Sequence, residues 1–141
     1  MQVVNTDGFA FIQQQDSLRI FYEGNPLAEY VFRDNTILRP YFANLKTLSG
    51  LQVTRNYPPV AGKDATDHAT MHPGLWLAFG DVNGSDFWRN GGTIKHLRFK
   101  TQPEVNEGRL TFSTESELLS PDNDLICTVV NRFVLRRGEN E

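Results

Sequence analysis

Polar and apolar residues alternate along most of this chain, so a period of two dominates over the helical period of 3.6. The stretch "SLRIFYEGNPLAEYVFR", residues 17–33, reads as strand, turn, strand, with Glu23-Gly24-Asn25-Pro26 as the break. "TIKHLRFKT" sets Leu97 and Phe99 against His96, Arg98 and Lys100, and "GRLTFSTESE" sets Leu110 and Phe112 against Thr111 and Ser113. "LICTVVNRFVLRR" puts Leu125, Cys127, Val129, Phe133 and Leu135 on one face, with Thr128, Val130, Arg132 and Arg136 on the other. No window carries a sustained, capped helical stripe. Turn signals recur at Asp34-Asn35, Ser49-Gly50, Asn90-Gly91-Gly92, Asn106-Glu107-Gly108 and Ser120-Pro121-Asp122-Asn123. Short strands between such breaks predict an all-β antiparallel sandwich with few or no helices.

Within this pattern, "LWLAF", residues 75–79, is a continuous apolar run and predicts a buried strand with Trp76 in the core. The longest irregular stretch is Asn56 to Thr70, rich in Pro, Gly, Asp and Thr, and long loops on a β scaffold often carry function. Arg136 to Glu141 reads as a charged, frayed end.

Composition narrows the function classes. A chain of 141 residues predicts one domain, and 39% hydrophobic with 22% charged residues is the composition of a folded protein. The net charge of −3, with no basic run, argues against nucleic acid as a partner. Nothing approaches the ~18 continuous apolar residues of a membrane span, so no membrane partner is expected. The start "MQVVNTDGFAFIQQQ" lacks the basic and apolar regions of a signal peptide, so a cytoplasmic location is expected. Cys127 is the single cysteine and reads as a buried strand thiol.

The chemistry concentrates in "DHATMHPGLWLAFGDVNGSDFW", Asp67 to Trp88, which holds two of the three histidines and both tryptophans. His68 and His72, four apart, share a side only if the segment turns helically. Asp67 beside them is able to orient an imidazole, and His96 on a separate strand could complete a metal set. These few residues are a weak metal signal, so no metal site is assigned and hydrogen-bonded loop histidines are the plainer expectation; cofactor use stays unknown. Trp88 beside Asp86, after Asp81 and Asn83, has the makings of a sugar site: a ring face for a pyranose, amides and carboxylates for its hydroxyls. Asp81 and Asp86 are readable as paired acid/base carboxylates or as turn formers. Arg39 and Arg55, at strand-to-loop boundaries, suit either a ligand carboxylate or hydroxyl cluster, or a pinned loop. Phosphate-binding glycine loops and a G-x-S-x-G elbow are absent.

These residues also resemble a known family. Arg39-Pro40-Tyr41, Val53-Thr54-Arg55, Asp67-His68, His72, Gly74-Leu75-Trp76 and the run Gly80 to Trp88 follow, in order, the motifs of the PmoA-like family, often labelled methane oxygenase. The resemblance spans about Ile37 to Arg98, with Met71 standing where many members carry a further histidine. It implies a soluble galactose-mutarotase-like β-sandwich from bacterial sugar-degradation settings. Because that family's domains run longer, it also implies that this chain is an N-terminal half, completed by a C-terminal half or by a homo-oligomer. On this reading the protein acts on or binds a carbohydrate ligand. Asp67, His68 and His72 are the catalytic group, with an imidazole as general acid or base in a hydrolase, lyase or epimerase reaction. Arg39, Arg55, Asp81, Asn83, Asp86 and Trp88 hold the sugar. The alternatives are a non-catalytic sugar-binding or assembly module and, as the family label suggests, a metal-dependent oxygenase.

Overall fold

The structure is a computed structural model that describes Gln2, Val3 and residues 8–138. It is all-β, with two antiparallel sheets and, among the described residues, no helix. The first sheet is a five-stranded meander of β1 (Gln2–Val3), β2 (Phe9–Gln13), β3 (Ser17–Tyr22), β4 (Asn25–Val31) and β5 (Tyr41–Ala43). The second holds β6 (Thr93–Asn106), β7 (Arg109–Leu119) and β8 (Leu125–Arg136). The last three residues of the charged tail lie outside the described residues. No helix among those residues is long and apolar enough to cross a membrane.

Local turn chemistry sets both registers. Glu23 and Gly24 (φ 47° and 78°) join β3 to β4, and Glu107 and Gly108 (φ 49° and 71°) join β6 to β7. Two successive left-handed residues are what a two-residue type I′ hairpin requires, and their twist matches that of the strands. Once register is fixed, alternate side chains meet between the sheets. Phe9, Phe11, Leu18, Ile20, Tyr30 and Phe32 face Leu110 and Phe112 in one buried cluster. Its centre is aromatic: Tyr30 lies 5.2 Å from Phe112 and 5.1 Å from Phe133, and the last two rings stack at 4.8 Å.

Three expectations fail, each for a local reason. The alternation expected in β6 is reversed at one end, because register shifts near His96/Arg98 and Phe99/Thr101 insert extra residues. His96 is therefore buried against Phe32 and Phe99, at ring distances of 4.7 and 5.3 Å, while Leu97 turns outward. A bulge opposite Leu118 and Leu119 likewise leaves Leu125 exposed, and Cys127 is only half-buried. Finally, 75–79 is not a buried strand. Leu75 makes one bridge to Phe42, and from there Leu75, Leu77 and Phe79 point outward while Ala78 is buried. The irregular stretch is accordingly longer than Asn56 to Thr70: between β5 and β6 there are only isolated bridges.

That excursion is pressed tightly onto the first sheet. A Cβ built on Gly74 would lie 2.0 Å from the Phe42 carbonyl oxygen, so the residue next to the bridge has to lack a side chain. Gly74→Ala should cost about 3 kcal/mol, whereas Gly80→Ala, into open space, should stay within about 0.5 kcal/mol. Equilibrium urea unfolding of the two variants checks this; equal stabilities would remove the close approach as a constraint.

His96 gives a pH dependence. Burial, with the charge of Arg33 second, pulls its pKa from 6.5 down to about 4. Between those values the unfolded chain binds a proton that the folded chain refuses, so stability falls as pH drops from about 6.5 to 4 and this group costs nothing more below. The expected loss is about 3 kcal/mol. Denaturation midpoints across this range should flatten in His96→Leu; an unchanged slope in that variant would refute the assignment.

Candidate functional site

The segment 65–72 has no strand of its own, and a single arginine gathers it. Arg55 donates from Nε to the His72 carbonyl (2.6 Å), from Nη1 to those of Ala65 and Asp67 (2.8 and 2.9 Å), and from Nη2 to that of His68 (3.0 Å). Four of its five N–H groups are thus spent on loop backbone. The same His68 carbonyl accepts from Met71 N and His72 N, closing one helical turn. That turn meets the condition for the His-x-x-x-His spacing, and the two rings stand 5.8 Å apart. Asn56 to Val60 is organised in the same manner by Asp64, whose carboxylate accepts from Asn56 N, Asn56 Nδ2 and Val60 N.

His68 donates from Nδ1 to Asp67 Oδ2 at 2.8 Å. This bond chiefly holds the Asp67 carboxyl below the ordinary carboxylate range, and it fixes the ring with Nε2 pointing away from the carboxylate. His68 takes a left-handed backbone (φ 50°), uncommon for non-glycine residues in general although histidine is one of those that adopt it more readily. From His68 a line of rings continues through His72 to Trp76 (5.9 Å) and on to Trp88 (4.6 Å). His68, His72 and Trp88 are exposed, so the cluster is an open ridge.

Behind the ridge sits Arg39, only 3% exposed. Its guanidinium lies 4.2 Å over the Trp76 ring and donates to the Trp88 carbonyl (3.1 Å) and to Asn90 Oδ1. Burial lowers its proton affinity, with the charge of Asp86 working the other way. No carboxylate lies within 4.0 Å of it among the described residues. Asn90 spans the gap to the histidine loop through the Thr70 carbonyl.

The structure brings Asp67, His68, His72 and Trp88 into one line, with Arg39 supporting it and Arg55 beneath the loop. Asp81, Asn83 and Asp86 act as turn residues. Asp81 accepts from Gly84 N at 2.7 Å, Asn83 (φ 51°) forms the tip of the 82–85 hairpin, and Asp86 caps Trp88 N and Arg89 N while pairing with Arg89. His96 does not join the histidine pair; it lies in the core. Among the described residues no three or more His, Cys, Asp and Glu side chains gather as a metal set. Two participants escape a reading of the sequence. Trp76 belongs to the ridge as well as to the core margin, and Asn90 looks like a plain turn residue. A tryptophan and an arginine separated by 37 positions offer no local signal of stacking.

A second feature adjoins the ridge. An apolar groove of about 500 Å³ opens between the sheets, lined among others by Tyr30, Phe42, Trp76, Phe79, Val129 and Phe133. Leu75, Leu77 and Phe79 stand exposed along it.

Comparison with known proteins identifies the family. The model of a family of unknown function (DUF6807) matches residues 17–134, so the chain belongs to that family. No curated protein and no solved structure matches it.

The Arg55 clamp makes a direct prediction. Arg55→Lys keeps the charge but is unable to reach four carbonyls from one planar group. The amides of Met71 and His72 should then exchange with deuterium about tenfold faster or more, while β3 and β7 amides keep their protection. Undiminished protection at Met71 and His72 would show that the turn stands without the clamp.

Proposed function

We propose that this DUF6807 member is a carbohydrate-active module whose site is the exposed ridge of His68, His72, Trp76 and Trp88. The observation that carries this reading is the geometry of the ridge: an exposed indole continuous with an imidazole pair, one of which is oriented by a carboxylate. The face of Trp88 suits the C–H face of a pyranose ring, and the Asp67–His68 pair is a proton-transfer unit at its edge. Nε2 of His68 is the exchanging atom, with Asp67 selecting the tautomer. Arg39 and Arg55 act by positioning rather than by touching the sugar, since one is buried under Trp76 and the other is spent on carbonyls. The likeness of Asp67 to Trp88 to the PmoA-like motifs, and through it to galactose-mutarotase-like sandwiches, supports the same reading. The oxygenase alternative draws no support from the ligand set, because among the described residues no three His, Cys, Asp or Glu side chains converge as a group able to hold a metal ion.

A second reading, an assembly module, is favoured by a separate observation. The exposed row Leu75, Leu77 and Phe79 flanks the open groove, and among the described residues nothing pairs with the outer edge of the twelve-residue β8. Completion by another half or another copy would cover both.

Indole N–H signals separate the two readings, because Trp76 and Trp88 are the only tryptophans. During titration with a panel of mono- and oligosaccharides, the Trp88 signal should shift saturably with at least one sugar. Trp88→Ala should weaken that binding about tenfold, and His68→Gln should bind but lose turnover. A folded protein whose indoles respond to no sugar would overturn the carbohydrate reading. Sedimentation at rising concentration then tests assembly, with Leu77→Lys/Phe79→Lys expected to stay monomeric.

A further inference from the structure

The second sheet has two outer edges, and the chain treats them differently. Along β6, register shifts at His96/Arg98, Phe99/Thr101 and Thr101/Glu104 break the line of the strand, Pro103 lacks an N–H, and Lys95 and Lys100 stand exposed. Bulges, proline and lysine are devices that keep an edge from pairing with a further strand. Past its first residues β8 carries none of them. Its ladder to β7 runs without a shift from Cys127 to Arg136, and "CTVVNRFVLR" holds neither proline nor lysine. Among the described residues nothing pairs with its outer edge.

The side chains of β8 divide cleanly. Cys127, Val129, Asn131 and Phe133 line the apolar groove, while Thr128, Val130, Arg132 and Val134 are exposed on the other face. Asn131 is the polar member of the inner row. It stands at the middle of the strand, between Val129 and Phe133, and its side-chain amide has no hydrogen-bond partner among the described residues. An amide carries both donor and acceptor, so a second asparagine is a complete partner for it.

We propose that β8 is a seam between two copies of this chain, its strands pairing antiparallel about a twofold axis at Asn131, so that two three-stranded sheets become one of six strands. A side-chain period of two allows only registers in which like faces meet. Centred on Asn131, the register sets Val130 opposite Arg132 of the second copy, and Thr128 opposite its Val134, on the outer face. On the inner face it sets Val129 opposite Phe133 of the second copy and Cys127 opposite its Leu135. Apolar meets apolar, amide meets amide, and no like charges meet. A register centred on Arg132 would oppose two guanidinium groups, which is destabilising. The exposed row Leu75, Leu77 and Phe79 flanks the groove that β8 lines, so the inner face of the second copy extends the apolar surface beside that row. The inference deepens the assembly reading and rests on it, and it is independent of the carbohydrate ridge.

Sedimentation equilibrium tests the seam. The unaltered chain should dimerise as its concentration rises to about 0.5 mM. Val130→Lys sets a lysine opposite Arg132 of the second copy at two symmetric places and should weaken the dimer about tenfold or more. Within one chain Val130 is exposed and lies opposite Glu115 of β7, so a lysine there suits the fold. Val130→Lys/Arg132→Glu faces lysine with glutamate at both places and should restore the dimer, which a mere loss of folding would not allow. A chain that stays monomeric throughout overturns the seam and the assembly reading together. A dimer that Val130→Lys leaves unchanged, or that the double variant fails to restore, overturns the β8 seam alone. The amide spectrum of each variant confirms that it is folded.

Discussion

The structure depends on how a long excursion without strands satisfies its backbone. Between β5 and β6 the chain has no ladder to supply partners, yet backbone N–H and C=O groups removed from water need them. Charged side chains take over that work, sorted by sign. Arginines collect carbonyls: Arg55 takes those of Ala65, Asp67, His68 and His72, and Arg39 takes that of Trp88. Aspartates collect amides: Asp64 takes Asn56 and Val60, Asp81 takes Gly84, and Asp86 takes Trp88 and Arg89. The bonds are charge-assisted and therefore stronger than neutral ones, which suits a segment with little core of its own.

This division explains which charged residues remain for chemistry. Asp81, Asp86 and Arg55 look like ligand-holding residues in the sequence because acidic and basic residues cluster near histidines and tryptophans. In the fold they are the scaffold of the loops. Asp67 differs from Asp64, Asp81 and Asp86 in pairing with an imidazole, that of His68, where each of those three accepts from the backbone amide of another loop residue. His68, His72 and Trp88 make no side-chain bonds to the loop backbone and stand at the surface. The groups left over by the folding problem are the ones a ligand would meet.

Much of the sheet structure was legible in the sequence, because hairpin turns and alternation are local. Glu23-Gly24 and Glu107-Gly108 announce their hairpins, and β7 places Leu110 and Phe112 inward as alternation requires. What failed depended on pairing between strands. A bulge is a mismatch of two strands, so nothing within "TIKHLRFKT" alone tells that His96 goes inward and Leu97 outward. The apolar run Leu75 to Phe79 misled for a related reason, since apolar character does not say whether a neighbouring layer exists to cover it. The convergence of His68 and His72 was legible only as a condition. The clamp that meets the condition comes from Arg55, thirteen and seventeen residues away.

Arg39 is where these lines meet. One face of its guanidinium covers Trp76, and its donors hold the turn that presents Trp88. A buried cation is costly unless its surroundings compensate it, and here the contacts are an indole, a carbonyl and an amide oxygen, with the charge of Asp86 acting from farther off. A change at either tryptophan is therefore felt by the same group, because one guanidinium stacks on the Trp76 ring and holds the Trp88 carbonyl.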